Sequence, residues 1–122
     1  MKQIEIKAAR ENLIDTFLYA GKVSIELRKK GLIKEIKEDN TPVSNGDLEV
    51  NRILTEKINN LTPQIPIVSE ETSHNKSKKD LKNFWLIDPI DGTYDYINDL
   101  DEFTLNAGLI INNRAVAGII YA

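Results

Sequence analysis

Apolar side chains in the first third of the chain recur every three or four residues. This period places them on one side of an α-helix. The basic run Arg28, Lys29 and Lys30, followed by Gly31, is typical of a helix C-terminus. We therefore expect a helix over residues 4–30. Its buried face is predicted to consist of Leu13, Phe17, Ala20, Ser24 and Leu27, widened by Ile14, Leu18 and Ile25.

A second helical pattern follows a polar loop. Residues 39–47 are rich in Asn, Pro and Gly, which favours a loop. Asp47 then opens a helix, which the segment TPQIP at residues 62–66 ends. The apolar side of this helix is predicted to consist of Val50, Leu54, Ile58 and Leu61.

Short apolar runs in the rest of the chain predict strands. Asn112 and Asn113 are a hairpin turn signal between the last two runs, and residues 94–97 predict a short helical segment. The last run is apolar on both faces, so we expect it either in the middle of the sheet or covered by residues beyond this chain. The predicted strands are residues 32–37, 67–68, 84–87, 103–111 and 114–121.

Composition narrows the class of protein. A chain of 122 residues, 41% hydrophobic and 29% charged, is typical of one globular domain. The net charge of −3 provides no basic field for polymeric nucleic acid. The lack of cysteine excludes thiol nucleophiles, disulfides and zinc–thiolate sites. The N-terminal residues have no apolar core of a secretory signal, so we expect the protein in the cytoplasm, either free or peripheral at the inner membrane.

The motif DPIDGT at residues 88–93 is the strongest candidate for chemistry. We expect a strand to run into a tight turn in which Asp88 and Asp91 aim their carboxylates at one point. Gly92 would allow the backbone to approach a phosphate closely. The N–H groups of Gly92 and Thr93 would hold phosphate oxygens. This combination suits a divalent cation and a phosphate together.

Pairs of acidic residues occur at three predicted strand ends or helix starts. Strand ends converge on one edge of an α/β sheet, so these residues can meet in space. With the Ile90 carbonyl they would form an oxygen site suited to Mg²⁺, and two such ions could clamp a phosphoryl group. Thr93 could orient the attacking water, with Asp47 accepting its proton. The pairs are Asp39 with Asp47, Glu70 with Glu71, and Asp88 with Asp91.

Each of these signals has a simpler interpretation when it is taken alone. DPIDGT could be only a turn, because Asp-Pro and Asp-Gly favour turns. Glu70 and Glu71 could lie in a solvated loop, and Asp47 could be only the N-cap of its helix. The occurrence of all three in this order favours a site.

Residues 84–93, FWLIDPIDGT, resemble the first signature of the inositol monophosphatase superfamily. Residues 67–71 are similar to its glutamate pair, and residues 39–47 to the loop ahead of its second helix. The run TPVS at residues 41–44 and DEFTLN at residues 101–106 resemble its bacterial 3'(2'),5'-bisphosphate nucleotidase branch.

The resemblance implies a Mg²⁺-dependent phosphatase that removes the 3'-phosphate of adenosine 3',5'-bisphosphate to give AMP, a step linked to sulfur metabolism. An inositol phosphate or fructose bisphosphate would be the alternative substrate. The implied metal ligands are Glu70, Asp88, Asp91 and the Ile90 carbonyl. The implied catalytic residues are Asp47, Thr93 and Glu71. The implied substrate-binding residues are Glu70, Ile90, Asp91, Gly92 and Thr93.

The implied fold is α+β, the N-terminal portion of a layered α/β/α/β/α sugar-phosphatase fold, with two helices on a mostly antiparallel sheet. Residues 1–122 would form its metal- and phosphate-binding domain, truncated before a C-terminal domain that carries a further metal ligand. The chain would then be an active enzyme, an inactive remnant, or one half of a split protein that pairs with a complementing chain.

Two segments depart from the pattern of this branch. Tyr94, Asp95 and Tyr96 stand where Lys-Glu-Phe is usual, and residues 44–47 read SNGD instead of Thr-Ala-Ala-Asp. If Gly46 is helical, we expect it to weaken the start of its helix by up to about 1 kcal/mol relative to alanine.

Overall fold

A computed structural model of the chain describes residues 3–37, 41–69, 82–98, 100 and 102–121. The helices are α1 (Gln3–Lys30), α2 (Asn45–Leu61) and α3 (Thr93–Ile97). The strands are β1 (Lys34–Ile36), β2 (Pro42–Ser44), β3 (Ile67–Ser69), β4 (Phe84–Asp91), β5 (Thr104–Ile111) and β6 (Arg114–Tyr121).

Among the described residues, four strands form one sheet in the order β3-β4-β5-β6. β3 runs parallel to β4, and the other two pairings are antiparallel. Asn112 and Asn113 have φ of 50° and 65°, the left-handed conformation of a tight hairpin between β5 and β6. The predicted α+β class and mostly antiparallel sheet are confirmed. Because β3 and β4 are parallel, their carboxyl ends lie at the same edge of the sheet.

A separate ribbon of β1 and β2 was only half predicted. β2 pairs antiparallel with β1, with Glu35 opposite Val43, inside the segment that was expected to be a loop. A strand of three residues is too short for an alternating pattern to stand out from its polar neighbours. The ribbon positions the start of α2, because Ser44 ends β2 and caps the helix.

The core lies between the two long helices and the sheet. α1 packs against α2 and β6, and α2 packs against β4. The predicted widening of the α1 stripe is wrong at Ile14 and Leu18, which are about half exposed. The buried core includes Leu13, Phe17, Ala20, Val50, Leu54, Ile58, Trp85, Ile87, Leu105 and Leu109.

β6 lies at the end of the four-stranded sheet, so of the two alternatives expected for it the central position is wrong. Most of the residues of β6 are exposed to solvent, and Ile120 keeps 75% of its surface exposed. Across the part of the chain that the structure describes, we find no helix with the length and apolar character needed to cross a bilayer.

Candidate active site

β4 carries the acidic motif as a bulged strand and not as the expected turn. Asp88 pairs with Asn106 and Asp91 pairs with Thr104, so three steps along β4 face two steps along β5. The extra residue forms a bulge around Pro89, which has no N–H to donate to the ladder. Asp88 is half-buried and Asp91 is exposed. The two carboxylates therefore lie at the carboxyl end of a strand that is fixed by its neighbour.

Gly92 turns the chain from β4 into α3. Its φ of +90° is in the left-handed region, which glycine adopts without strain. A Cβ at this position would lie 2.7 Å from the carbonyl oxygen of Glu102. Both the conformation and the close approach require glycine, and together they place Thr93 at the first position of α3.

Asp47 is fully buried at the start of α2. Its Oδ2 accepts hydrogen bonds from the backbone N–H of Ser44 at 2.9 Å and from the Ser44 hydroxyl. The N–H of Asp47 in turn donates to Ser44 Oγ. This reciprocal arrangement is a capping box, in which Ser44 is the N-cap and Asp47 the third helical residue. The interpretation of Asp47 as the N-cap is therefore wrong, and α2 begins two residues earlier than predicted.

The other oxygen of Asp47 contacts the residue predicted to orient the water. Asp47 Oδ1 accepts a hydrogen bond from the Thr93 hydroxyl at 2.8 Å. The same hydroxyl oxygen lies 3.1 Å from the carbonyl oxygen of Ile90. The structure thus brings Asp47 together with Thr93, 46 residues later in the sequence, and with the Ile90 carbonyl.

A buried hydrogen bond that the sequence did not reveal supports this arrangement. Ser69, the last residue of β3, donates from its hydroxyl to Asn51 Oδ1 at 2.5 Å. Asn51 lies one helical turn after Asp47 on α2, so the bond ties the end of β3 to the helix that carries Asp47. A polar residue beside the apolar positions Val50 and Leu54 was the signal that could have identified it.

Tyr96 packs beneath the same site. It is fully buried, and its hydroxyl donates to the carbonyl oxygen of Ser24 at 2.6 Å. Burial and the nearby Asp47 carboxylate raise the pKa of Tyr96 to about 12. The phenol therefore stays protonated and remains a donor to α1 at neutral pH.

The predicted metal site stays a prediction. Within those residues, no three acidic or histidine side chains converge as a metal site. Glu70 and Glu71, and with them part of the predicted ligand set, lie outside the described residues, as does Asp39. The candidate ligands inside them are oxygen donors from Asp88, Asp91 and the Ile90 carbonyl, which fits the preference of Mg²⁺.

Comparison with known proteins matches the model of the inositol monophosphatase family to residues 6–122. A Haemophilus influenzae protein, the 3'(2'),5'-bisphosphate nucleotidase CysQ, is 42% identical over 105 residues. The match covers 84% of this chain and 39% of that protein. The chain thus spans well under half the length of this relative.

Solved structures show the same fold. A Thermotoga maritima IMPase superposes with a TM-score of 0.79 at 24% identity, over 92% of this chain and 43% of that one. An IMPase/NADP phosphatase complexed with Mg²⁺ and phosphate superposes with a TM-score of 0.75 at 19% identity, over 91% of this chain and 42% of that one.

The hydrogen bond between Thr93 and Asp47 can be tested through stability. Thr93→Val removes one of the donors to a buried carboxylate, so we expect the free energy of unfolding to fall by about 1.5–3 kcal/mol. Thr93→Ser keeps the hydroxyl and should lose less than about 1 kcal/mol. Urea unfolding followed by the fluorescence of Trp85, the single tryptophan, measures both. Equal losses in the two variants would contradict the assigned bond.

Proposed function

The chain belongs to the inositol monophosphatase family, and from this premise we propose that its residues act in a Mg²⁺-dependent phosphatase that hydrolyses a phosphoric monoester. The observation that carries the proposal is the contact of Thr93 with both Asp47 and Ile90 at the end of β4. The neighbouring side chains of Asp88 and Asp91 also support it, because they offer only oxygen ligands, which Mg²⁺ prefers.

The Asp47–Thr93 pair has the polarity that water activation needs. A hydroxyl has one hydrogen, so a Thr93 hydroxyl that donates to Asp47 keeps its lone pairs for another donor. A water held there would donate to Thr93 and point its own lone pair away from the protein. Asp47 is buried and accepts both hydrogen bonds, so the donors run from the water to Thr93 and from Thr93 to Asp47.

In the proposed reaction the water oxygen bonds to phosphorus while the bond from phosphorus to the ester oxygen breaks. The water gives a proton to Thr93 Oγ1 as Thr93 gives its own proton to Asp47 Oδ1. The leaving oxygen keeps the electron pair of the broken bond and takes a proton from solvent. Asp47 then returns its proton to solvent, so the net reaction consumes one water.

Asp88, Asp91 and the Ile90 carbonyl would hold Mg²⁺ together with Glu70. A bound Mg²⁺ would supply positive charge against the phosphoryl oxygens and lower the pKa of a bound water. The similar structure complexed with Mg²⁺ and phosphate supports this choice of ion. Gly92 and the N–H group of Thr93, at the start of α3, would hold the phosphate, since the first N–H groups of a helix have no acceptor within it.

The substrate proposed is adenosine 3',5'-bisphosphate, with AMP as the product. The support is the 42% identity to the bisphosphate nucleotidase of Haemophilus influenzae, against 24% to the Thermotoga maritima IMPase. We expect the chain to release phosphate from adenosine 3',5'-bisphosphate faster than from inositol 1-phosphate or fructose 1,6-bisphosphate. Initial rates of phosphate release at equal substrate concentrations test this order. A faster rate with inositol 1-phosphate would overturn the substrate while leaving the reaction class intact.

Asp47→Asn tests the proposed proton acceptor. An amide has a single acceptor oxygen, so if that oxygen keeps Ser44, the NH₂ group faces Thr93. The Thr93 hydroxyl would then turn to donate to the Ile90 carbonyl, 3.1 Å away. We expect phosphate release to fall by about 10²–10⁴-fold with the fold retained by circular dichroism. Glu56→Gln, a carboxylate-to-amide change at an exposed position of the same helix, is the matched control. Wild-type turnover in Asp47→Asn would refute the role.

Asp91→Asn tests the metal assignment. Removing one carboxylate from the predicted ligand set should weaken Mg²⁺ binding by at least about tenfold, since the charge and number of oxygen ligands set the affinity. Isothermal titration with MgCl₂ measures this affinity directly. We also expect Asp91→Asn to release phosphate more slowly than the wild type, and Li⁺ to inhibit the wild-type rate. Asp95→Asn, four residues further along in α3, makes the same charge change away from the predicted ligands. Equal Mg²⁺ affinities in the two variants would exclude Asp91 as a ligand.

A further inference from the structure

Gly46 and Tyr96 contact each other directly beside the proposed catalytic pair. We propose that Tyr96 is a positioning residue, whose ring rests on Gly46 and sets the separation between Asp47 on α2 and Thr93 on α3. This inference rests on the proposed function for its catalytic meaning, but the contact itself is independent of it.

The contact leaves no room for a side chain at position 46. Gly46 is buried in the first turn of α2. A Cβ built on it would lie 2.7 Å from the ring carbons Cε2 and Cζ of Tyr96, and nearer still to the phenolic oxygen. Real Cβ atoms do not approach so closely, so any larger residue at 46 requires the ring or the helix to move.

The contact and the catalytic hydrogen bond join the same two helices. Gly46 immediately precedes Asp47, and Tyr96 lies three residues after Thr93, about one helical turn. A change in the spacing of α2 and α3 at Gly46 is therefore transmitted to the 2.8 Å bond between Thr93 and Asp47.

Tyr96 is held on its other sides, so its ring cannot easily retreat. Its hydroxyl donates to the Ser24 carbonyl of α1 at 2.6 Å. The ring of Phe103 meets it edge to face, with centroids 4.9 Å apart. The Arg28 guanidinium lies 5.6 Å from its ring centroid. With the ring fixed by these neighbours, a methyl group at position 46 must push α2 away from α3.

The test is a cycle of three variants, Gly46→Ala, Tyr96→Phe and the double variant. Gly46→Ala should shift the ¹³C-methyl resonance of Thr93 and lower kcat by about 10–100-fold, with a smaller effect on KM, because small misplacements of reacting groups cost this much. Tyr96→Phe removes the nearest atom and the tether to Ser24. The ring carbons Cε2 and Cζ remain, but without the tether the ring can shift away from position 46. The double variant should therefore recover part of the wild-type resonance and rate.

Gly108→Ala is the matched control, because the nearest atom to a Cβ there is the Ala117 carbonyl oxygen at 4.0 Å. It should leave the Thr93 resonance in place.

The proposal is overturned if Gly46→Ala leaves that resonance unchanged, or if the double variant is no closer to wild type than Gly46→Ala. If Gly46→Ala does not fold, folding of the double variant with a wild-type Thr93 resonance supports the proposal, and its failure to fold overturns it. If the wild-type chain releases no phosphate, the proposed function fails, and the Thr93 resonances alone decide the positioning claim.

Discussion

A single buried carboxylate determines how this site is built. A charge removed from water is costly unless hydrogen bonds replace its hydration. Asp47 meets this requirement with donors on both oxygens, the N–H and hydroxyl of Ser44 on one and the hydroxyl of Thr93 on the other. The donors come from the end of β2 and the start of α3. Satisfying one charge therefore brings two distant parts of the chain to one point.

The strand that leads to Thr93 is adapted to this arrangement. Pro89 introduces a bulge near the end of β4, and Gly92 reverses the chain where its backbone passes close to Glu102. These two features present Asp88 and Asp91 at the sheet edge and then place Thr93 against Asp47. The parallel pairing of β3 with β4 puts Ser69 at the same edge, where Asn51 holds it. Backbone constraints and buried polar contacts thus fix the positions of the candidate catalytic atoms.

The sequence predicted the parts of the fold that repeat regularly. The periodic stripes of α1 and α2, the hairpin at Asn112 and the sheet with its acidic edge all follow from local patterns. Asp47 and Thr93 were predicted to act on the same water, but their direct hydrogen bond was not predicted. The strand β2 and the bulge at Pro89 were not predicted, because each depends on pairing with another strand. The Ser44 cap was also missed, although Ser44 and Asp47 are only three residues apart and form a local capping-box pattern.

Gly46 illustrates the limit of local reasoning most clearly. By helix propensity alone it weakens the start of α2 by up to about 1 kcal/mol relative to alanine. In the fold, however, Tyr96 occupies the space that a Cβ would need. Glycine is required at position 46 despite its low helix propensity, because the side chain of Tyr96, 50 residues away, occupies that space. Helix propensity scales describe only the local backbone and cannot predict such a contact.

The central claim is that Thr93, held by Asp47, faces the phosphate and the water that attacks it. A crystal structure of the chain with Mg²⁺ and inorganic phosphate tests this most directly. The account predicts a phosphate oxygen or a bound water within about 2.6–3.2 Å of Thr93 Oγ1, with the bond from Thr93 to Asp47 retained. Phosphate bound away from Thr93, or Asp47 turned from it in the complex, would contradict the account.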